Sequence, residues 1–290
     1  MISLPSRSPR SPKPSAHVGA LLREWRAARR WSQLDFALNA GVSARHLSYV
    51  ETGKAQPSRN MLLRFADALD MPLQERNTLL TAAGFAPEYP EIALTALEHA
   101  GIRRAIDYIL EQHEPYPAFV VDRHWNVQMA NRGAERIGAF IMDGRPSAHR
   151  NIIHQVFDPD DMRAGVANWE ELAGELIRHL HWAVAATPSD PVPRALLDEA
   201  LAYPGVPPQW RTRDLDVPPS PLLTTVFRKN GRELRFFSTF TTFGFARDVN
   251  LEDQHIECCF PMDDVTAAFC RELRDASSAV QHRVEGLVSA

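Results

Sequence analysis

Residues 31–54 read WSQLDFALNAGVSARHLSYVETGK, and no other stretch of the chain is as informative. Its spacing predicts two short helices joined by a tight corner that contains a glycine. Ser32 and Asp35 stand three residues apart, as in a reciprocal helix cap, so the first helix should begin at Gln33. Gly41 lies where the chain must reverse, and we expect it to adopt a positive φ.

The second helix of this pair has equally clear limits. Ser43 can cap it, the helix should run over residues 44–52, and Gly53 is placed to end it in a left-handed conformation. Pro57 and Ser58 then prepare the start of another helix. Two helices joined in this way form a helix-turn-helix, in which the second helix enters the major groove of DNA.

The segment resembles the XRE/Cro/C1 family of phage-repressor-like DNA-binding domains. The residues that carry the resemblance are Ser32-Gln33, Ala37, Ala40-Gly41-Val42-Ser43, Leu47, Glu51, Gly53-Lys54 and Pro57-Ser58. It covers residues 18–86 and implies an all-α domain of five helices. Periodicity places the other three helices at about 18–29, 58–69 and 73–83.

The resemblance also implies which residues meet DNA. The expected contacts are Gln33, Ser43, Ala44, Arg45, Tyr49, Lys54, Ser58 and Arg59. Arg45 could bond guanine O6 and N7, whereas Gln33 and Lys54 match positions that contact the phosphate backbone. Tyr49 could instead pack on the domain surface, and Arg59 could simply be solvated. Glu51 is expected to brace the turn internally, because phosphates would repel its carboxylate.

Charge is distributed unevenly along the chain. Residues 1–86 carry a net charge of +6 and the remaining 204 carry −10, which gives the total of −4. A positive field attracts DNA through counterion release, so the amino-terminal end is predicted to bind double-stranded DNA. The acidic remainder should stay away from the phosphates.

Composition sets the broad class. The 290 residues are 44% apolar, enough for two domains with separate cores. The sequence has no apolar run long enough to cross a bilayer and no secretory signal, so we expect a cytoplasmic protein. Residues 1–17 are predicted to be a disordered basic arm. Cys258, Cys259 and Cys270 have neither disulfide nor zinc spacing, and we expect reduced thiols.

Residues 87–114 are predicted to form a connector helix, either packed on its own domain or paired with a second chain. Beyond it the pattern becomes mixed α and β, with strands at 118–122, 126–130, 222–228, 233–242 and 255–260. Helices are predicted at 132–141, 151–157, 160–185, 194–202 and 265–273, followed by a tail at 276–290. Asn230-Gly231 is a strong signal for a two-residue hairpin.

Two strands, several helices and three antiparallel strands follow one another as in a PAS-like sensor domain. Most of residues 105–270 resembles the MmyB-like ligand-binding domain attached to XRE-type regulators, and the predicted domain spans residues 115–275. The similarity is carried by Pro117-Ala118-Phe119-Val120-Val121-Asp122, Trp125-Asn126-Val127, Asn131, Asn168-Trp169-Glu170 and Phe260-Pro261-Met262-Asp263-Asp264, together with the junction PLQERNTLLTAAGFAPEYPE. The expected fold of this part is α+β, with an antiparallel sheet and a helical insert.

The strand at 234–245 carries aromatic residues on both faces, because side chains alternate. Either Phe237 and Phe243 or Phe236 and Phe240 could line a cavity, depending on register; a plain packed core is the alternative. The resemblance implies a small apolar ligand, with a fatty acid as the leading candidate. The candidate lining is Phe119, Val121, Trp169, Trp182, Phe227, Phe236, Phe237, Phe240, Phe243 and Arg247, and Arg150, Arg211, Arg247 or His181 could pair with a carboxylate.

No catalytic motif, metal site or cofactor motif is recognisable in the sequence. His179 and His181 fall in a predicted helix, where i and i+2 point apart, and residues 158–161 suit a turn and helix cap better than a calcium loop. The sequence therefore predicts a non-enzymatic transcription regulator that acts as a homodimer, because one recognition helix reads few base pairs. Two alternatives stay open for the second domain: a protein-interaction module without ligand, and a holder of haem or flavin.

Overall fold

The computed structural model describes residues 14–91, 100–212, 222–243 and 248–288. The chain divides into two compact units. The first comprises residues 1–90 with 185–190, and the second comprises residues 91–184 with 191–290.

Five helices lie within the described residues 14–90 of the first unit, as predicted. They are α1 (Pro14–Ala28), α2 (Gln33–Asn39), α3 (Ala44–Glu51), α4 (Arg59–Ala68) and α5 (Leu73–Ala82). The predicted start of α1 at Val18 was wrong, because the helix already includes Pro14. The part of the predicted basic arm at 1–13 lies outside the described residues.

Close contact between α1 and α3 organises the core of this unit. Val18, Leu22 and Leu47 are fully buried. A Cβ at Gly19 would come within 2.4 Å of the Glu51 carbonyl oxygen, so a larger residue there would push the helices apart. The rings of Phe36 and Phe65 pack with centroids 5.3 Å apart. The helix-turn-helix is therefore held as a rigid part of a larger bundle.

The second unit combines a sheet with helices. The helices are α6 (Ala100–Gln112), α7 (Arg132–Ile141), α8 (Ile152–Phe157), α9 (Trp169–Ala186), α10 (Pro191–Ala202), α11 (Val249–Glu252) and α12 (Asp264–Val288). The strands are β1 (Ala118–Val121), β2 (Val127–Ala130), β3 (Leu223–Lys229), β4 (Arg232–Thr241) and β5 (His255–Pro261). They form one five-stranded sheet in the order β2-β1-β5-β4-β3, and the neighbouring strands are antiparallel.

Each predicted strand is present to within about a residue at either end. Asn230 and Gly231 have φ of 50° and 74°, as a two-residue hairpin with matched twist requires. Lys229 pairs with Arg232 across this turn. The local turn chemistry therefore fixes the register of β3 against β4.

The predicted single helix over 160–185 was wrong. Residues 162–165 form a 3₁₀ turn, and α9 begins only at Trp169. Between them the chain pairs with β3, where the Ala167 amide donates to the Val226 carbonyl at 2.7 Å. The Asn168 side chain donates to the Thr224 carbonyl at 3.0 Å and accepts from the Val226 amide at 2.9 Å. These long-range bonds interrupt the helix.

The carboxy-terminal helix also differs from the prediction. It continues to Val288, so the predicted tail at 276–290 is helical over most of its length. Its sequence there contains alanine, valine and leucine and no glycine before Gly286, which allows the helix to continue.

The two faces of the sheet have different neighbours. On one face, Ile106 and Leu110 of α6 pack against Val120 and Ile256. The described part of the predicted connector, residues 100–112, thus packs on its own domain. Helices α7, α8 and α9 contribute residues beside the opposite face, where they enclose a cavity with β1, β3, β4 and β5.

We predict opposite effects for two alanine substitutions in α7. A Cβ at Gly133 would lie 2.5 Å from the Tyr116 carbonyl oxygen, whereas one at Gly138 meets nothing within 4 Å. Gly133→Ala should lower the unfolding free energy by about 1–3 kcal/mol. Gly138→Ala should leave it unchanged or raise it by up to about 1 kcal/mol, because alanine favours the helix. Urea unfolding of both variants checks this, and equal midpoints would contradict it.

Candidate nucleic-acid interface and ligand cavity

Polar side chains cap the starts of both helices of the helix-turn-helix, and a glycine follows the end of each. Ser32 and Asp35 form the predicted reciprocal cap at the start of α2. The Ser43 hydroxyl accepts from the His46 amide at 3.2 Å and starts α3. Gly41 and Gly53 adopt φ of 63° and 70°, as the corner and the end of α3 require. Every predicted boundary signal in this segment is confirmed.

Glu51 braces the turn from inside, as predicted. It is 1% exposed, and its carboxylate accepts from Arg26 Nε at 2.7 Å and Arg26 Nη2 at 3.1 Å. Gln33 Nε2 donates to the same carboxylate at 2.7 Å. One of the two N–H donors of the Gln33 side-chain amide is thus used by Glu51, and the second is left for the predicted phosphate contact.

Three side chains form an exposed cluster on and beside α3, which we call the Arg45 cluster: Arg45, Tyr49 and Lys54. Arg45 Nε and Nη2 each donate to the Tyr49 hydroxyl at 3.2 Å. The Arg45 guanidinium lies 5.5 Å from the Tyr49 ring centroid, and Lys54 Nζ lies 5.9 Å from it. Stacking on the ring orients two cations at the surface of the recognition helix.

The remaining predicted contacts have other roles in the protein alone. Ser43 and Ser58 use their hydroxyls as helix caps. Arg59 forms an ion pair with Glu88, and Ala44 packs partly against the core. Their contacts with DNA stay predictions.

The second unit contains a cavity of about 480 Å³ beside the sheet. It lies within the range of about 300–1,000 Å³ usual for small-molecule sites. Among the predicted lining residues, Phe119, Phe227 and Phe236 reach it. The strand register selects Phe236, which lies opposite Thr225 on the cavity side, and turns Phe237 to the other face.

The other predicted lining residues do not line this cavity. Phe237 stacks on Phe260 with centroids 5.3 Å apart, and Phe243 packs with the cluster around Ile106. Phe240 is on the cavity side of the sheet but is 45% exposed and packs on Trp125. Val121 is buried elsewhere, and Trp182 is 66% exposed. Trp169 packs on Phe157 and Trp210. Arg247 lies outside the described residues.

Helices supply much of the lining that the sequence did not reveal. Ile137 and Gly138 come from α7, and Leu172 and Leu176 come from α9. The i, i+4 spacing of the two leucines identifies a buried helix face, but it does not distinguish a cavity wall from packed core.

The rim has a cation that sequence reasoning missed. Arg145 is exposed and lines the cavity together with Gly144 and Pro146. Neither Arg150 nor Arg211, which were expected to pair with a carboxylate, lines it. His181 is engaged elsewhere, since its Nε2 lies 2.8 Å from the Trp210 carbonyl oxygen.

Glu257 is a buried carboxyl in the cavity wall. It is 5% exposed and lies on β5 between Phe119 of β1 and Phe240 of β4. Burial raises the pKa of Glu257 to about 7, and a hydrogen bond from the Ser238 hydroxyl opposes this shift only in part. Near neutral pH the group therefore exists in both protonation states.

The two histidines of α9 point apart, as predicted. His179 meets the edge of the Trp125 ring with centroids 5.2 Å apart, and burial lowers its pKa. Within the described ranges no group of three or more metal-ligating side chains is present. Asp158 accepts from the Asp160 amide at 2.9 Å and Asp161 caps the 3₁₀ turn, which confirms the turn and cap.

A capped helix-turn-helix and a sheet domain with an apolar cavity are the features of a transcription regulator in which a DNA-binding domain is joined to a ligand-binding domain. Residues 17–79 match a helix-turn-helix domain model, and residues 102–273 match the MmyB-like transcription regulator ligand binding domain. The chain belongs to this family of MmyB-like transcription regulators. None of the described helices has the length and apolarity needed to cross a membrane.

Individual relatives match parts of the chain. Uncharacterized HTH-type transcriptional regulators of Mycobacterium bovis and Mycobacterium tuberculosis are 32% identical over 97 residues, which is 33% of this chain and 38% of theirs. The chain thus spans well under half the length of these curated relatives. The solved clp gene regulator ClgR from C. glutamicum is 27% identical over 26% of this chain and 92% of its own, with a TM-score of 0.23. A solved RNA-binding Light-Oxygen-Voltage receptor is 14% identical over 91% of this chain and 64% of its own, also with a TM-score of 0.23.

We predict that ionisation of Glu257 weakens the fold. Its pKa rises from an ordinary 4.5 to about 7 in the folded protein, so the folded state binds the extra proton between these pH values. Its stabilising contribution is fully present below pH 4.5 and is lost by about pH 7, roughly 3 kcal/mol in all. Between pH 4.5 and 8 the unfolding free energy of the native sequence should therefore fall relative to that of Glu257→Gln. His179 and His255, whose pKa values burial lowers, contribute the opposite trend equally in both proteins.

Glu257→Gln should lose only this part of the pH dependence and keep that of Asp253, whose pKa burial raises to about 6. Glu135→Gln, at an exposed carboxyl on the same cavity, is the matched control and should keep the native slope. An unchanged slope in Glu257→Gln would show that the carboxyl is well solvated.

Proposed function

We propose that this protein binds a specific operator as a homodimer and that a small apolar ligand in the carboxy-terminal cavity modulates that binding. A fatty acid is the leading candidate. The observation that carries the proposal is the cavity of about 480 Å³ in the same chain as a capped recognition helix with exposed cations. The proposed site of action is the cytoplasm.

The Arg45 cluster supports sequence reading. Arginine can donate two parallel hydrogen bonds to O6 and N7 of guanine, and Tyr49 already holds the guanidinium at the helix surface. Lys54 follows the end of α3, where it suits a phosphate contact. A recognition helix of eight residues reads few base pairs, which favours two copies on adjacent half-sites.

We expect Arg45→Ala and Lys54→Ala to weaken operator binding in different ways. Arg45→Ala should cost about 1–3 kcal/mol and relax the preference at one base position. Lys54→Ala should weaken binding to all sequences alike and reduce the salt slope by about one unit. Binding titrations against an operator and its single-base variants at several salt concentrations separate the two. Uniform loss in Arg45→Ala would identify Arg45 as a phosphate contact instead.

The cavity supports an elongated apolar ligand. Its wall is built mainly from aliphatic and aromatic side chains of β1, β3, β4, α7 and α9, with few polar groups. A fatty acid carboxylate would be costly to bury without a partner, and Arg145 at the exposed rim offers one. The chain of the acid would then occupy the apolar interior.

Modulation requires that the ligand bind two states of the protein unequally. Only differential affinity can shift an equilibrium between states that differ in operator affinity. Helices α7 and α9 line the cavity, so a ligand bound in the cavity contacts both helices directly and can alter their packing.

A variant with a filled cavity tests this link. Gly138 lines the cavity, and no atom lies within 4 Å of a Cβ built there. Gly138→Phe should abolish binding of a fatty acid such as dodecanoic acid while the protein still binds its operator, now without response to ligand. Gly138→Ala is the matched control and should behave as the native sequence.

Native mass spectrometry and operator titrations with and without dodecanoic acid provide the measurement. If delipidated native protein binds no apolar molecule, the second domain acts instead as an interaction or dimerisation module, and the sensing part of the proposal fails.

A further inference from the structure

Binding of a hydrocarbon chain alone does not require a buried carboxyl such as Glu257 in the cavity wall. It lies on β5, the middle strand of the sheet, and strands pair with it on both sides. The residues directly opposite it on those strands are Phe119 and Phe240. Opposite residues in antiparallel strands project from the same face, so two phenylalanines flank the carboxyl.

The neighbours of Glu257 leave most of its hydrogen-bonding capacity to the cavity. A carboxyl group has about four acceptor positions. The Ser238 hydroxyl takes one of them, and the same hydroxyl lies 3.5 Å from the Cys259 sulfur. Cys259 also lines the cavity, and burial raises its pKa well above the ordinary value, so it remains a neutral thiol. This polar group of three side chains contains no cation.

A plain hydrocarbon chain would fit this wall poorly. It would displace solvent from the carboxyl without replacing the hydrogen bonds, and an unpaired buried acceptor is costly. A second carboxylate would repel the ionised form of Glu257. A hydroxyl donor on the ligand would satisfy the carboxyl in both protonation states, because a carboxyl oxygen accepts in either.

We propose that Glu257 selects an acyl-chain ligand that carries a hydroxyl group along its chain, which donates a hydrogen bond to the Glu257 carboxyl. The carboxylate of such a ligand lies at the rim with Arg145, and the hydroxyl lies inside. The proposal rests on the function proposed above and narrows the ligand class to hydroxylated fatty acids. Glu257 is then a specificity-determining residue of the cavity.

A positional series tests this selection in the full-length protein. The probes are dodecanoic acid and hydroxydodecanoic acids with the hydroxyl at successive carbons, titrated into delipidated protein at constant pH. At least one isomer should bind about tenfold or more tightly than dodecanoic acid, as expected for a hydrogen bond to a charged group. If no isomer binds more tightly than dodecanoic acid, the selection by Glu257 is refuted.

Variants assign the preference to the residue. In Glu257→Leu the preferred isomer should bind more weakly than dodecanoic acid, because its hydroxyl is buried without a partner. Glu257→Gln keeps an acceptor oxygen and should retain a preference. Glu111→Gln, at an exposed carboxyl of α6 that does not line the cavity, should behave as the native sequence. A preference that survives in Glu257→Leu would overturn the assignment.

Urea unfolding of each variant reports whether the second unit, which contains Glu257, is folded. The comparison of isomers on the native sequence needs no variant. The outcome is distinct from that of the function proposed above. If dodecanoic acid and every isomer fail to bind, ligand sensing itself fails. If they bind without discrimination, sensing stands and only the role of Glu257 fails.

Discussion

Alternation of side chains along β5 is the constraint on which the second domain depends. Ile256 and Cys258 point to the face covered by α6, whereas Glu257 and Cys259 point to the cavity. Because β5 is the middle strand, a slip of one residue in its pairing would exchange these two sets. The register of β5 in the sheet therefore determines both the apolar contact with α6 and the polar part of the cavity wall.

Glu51 has a comparable role in the first domain. Its buried carboxylate joins Arg26 of α1 to Gln33 of α2 from the end of α3, so three helices share one charged centre. Removing the carboxylate would leave the Arg26 guanidinium with the Trp31 carbonyl but without its ionic partner. The cost of such an uncompensated, largely buried charge exceeds the stabilisation that the ion pair provides. The side chains on the outer face of α3 are therefore not needed to hold the three helices together, and Arg45 and Tyr49 are exposed to solvent there.

The two domains use buried carboxylates in opposite ways. Glu51 is compensated by a guanidinium and an amide, whereas Glu257 has one hydroxyl donor and a pKa raised to about 7. A compensated charge stabilises an interface between helices. A carboxyl with few partners keeps acceptor capacity that a ligand can use, at some cost in stability. The difference between them separates a structural group from a candidate recognition group.

Local chemistry in the sequence determined the helix caps, the positive-φ glycines, the Asn230-Gly231 turn and the positions of the strands along the chain, since each depends on residues close together in the chain. The predicted helix over 160–185 failed because bonds from Asn168 to β3 span more than fifty residues. The cavity wall could be predicted only in part. Phe236 and Phe237 are chemically alike, and strand pairing alone decides that Phe236 faces the cavity. Leu176, Arg145 and Glu257 meet there only because the folded sheet, helices and loop bring distant segments together.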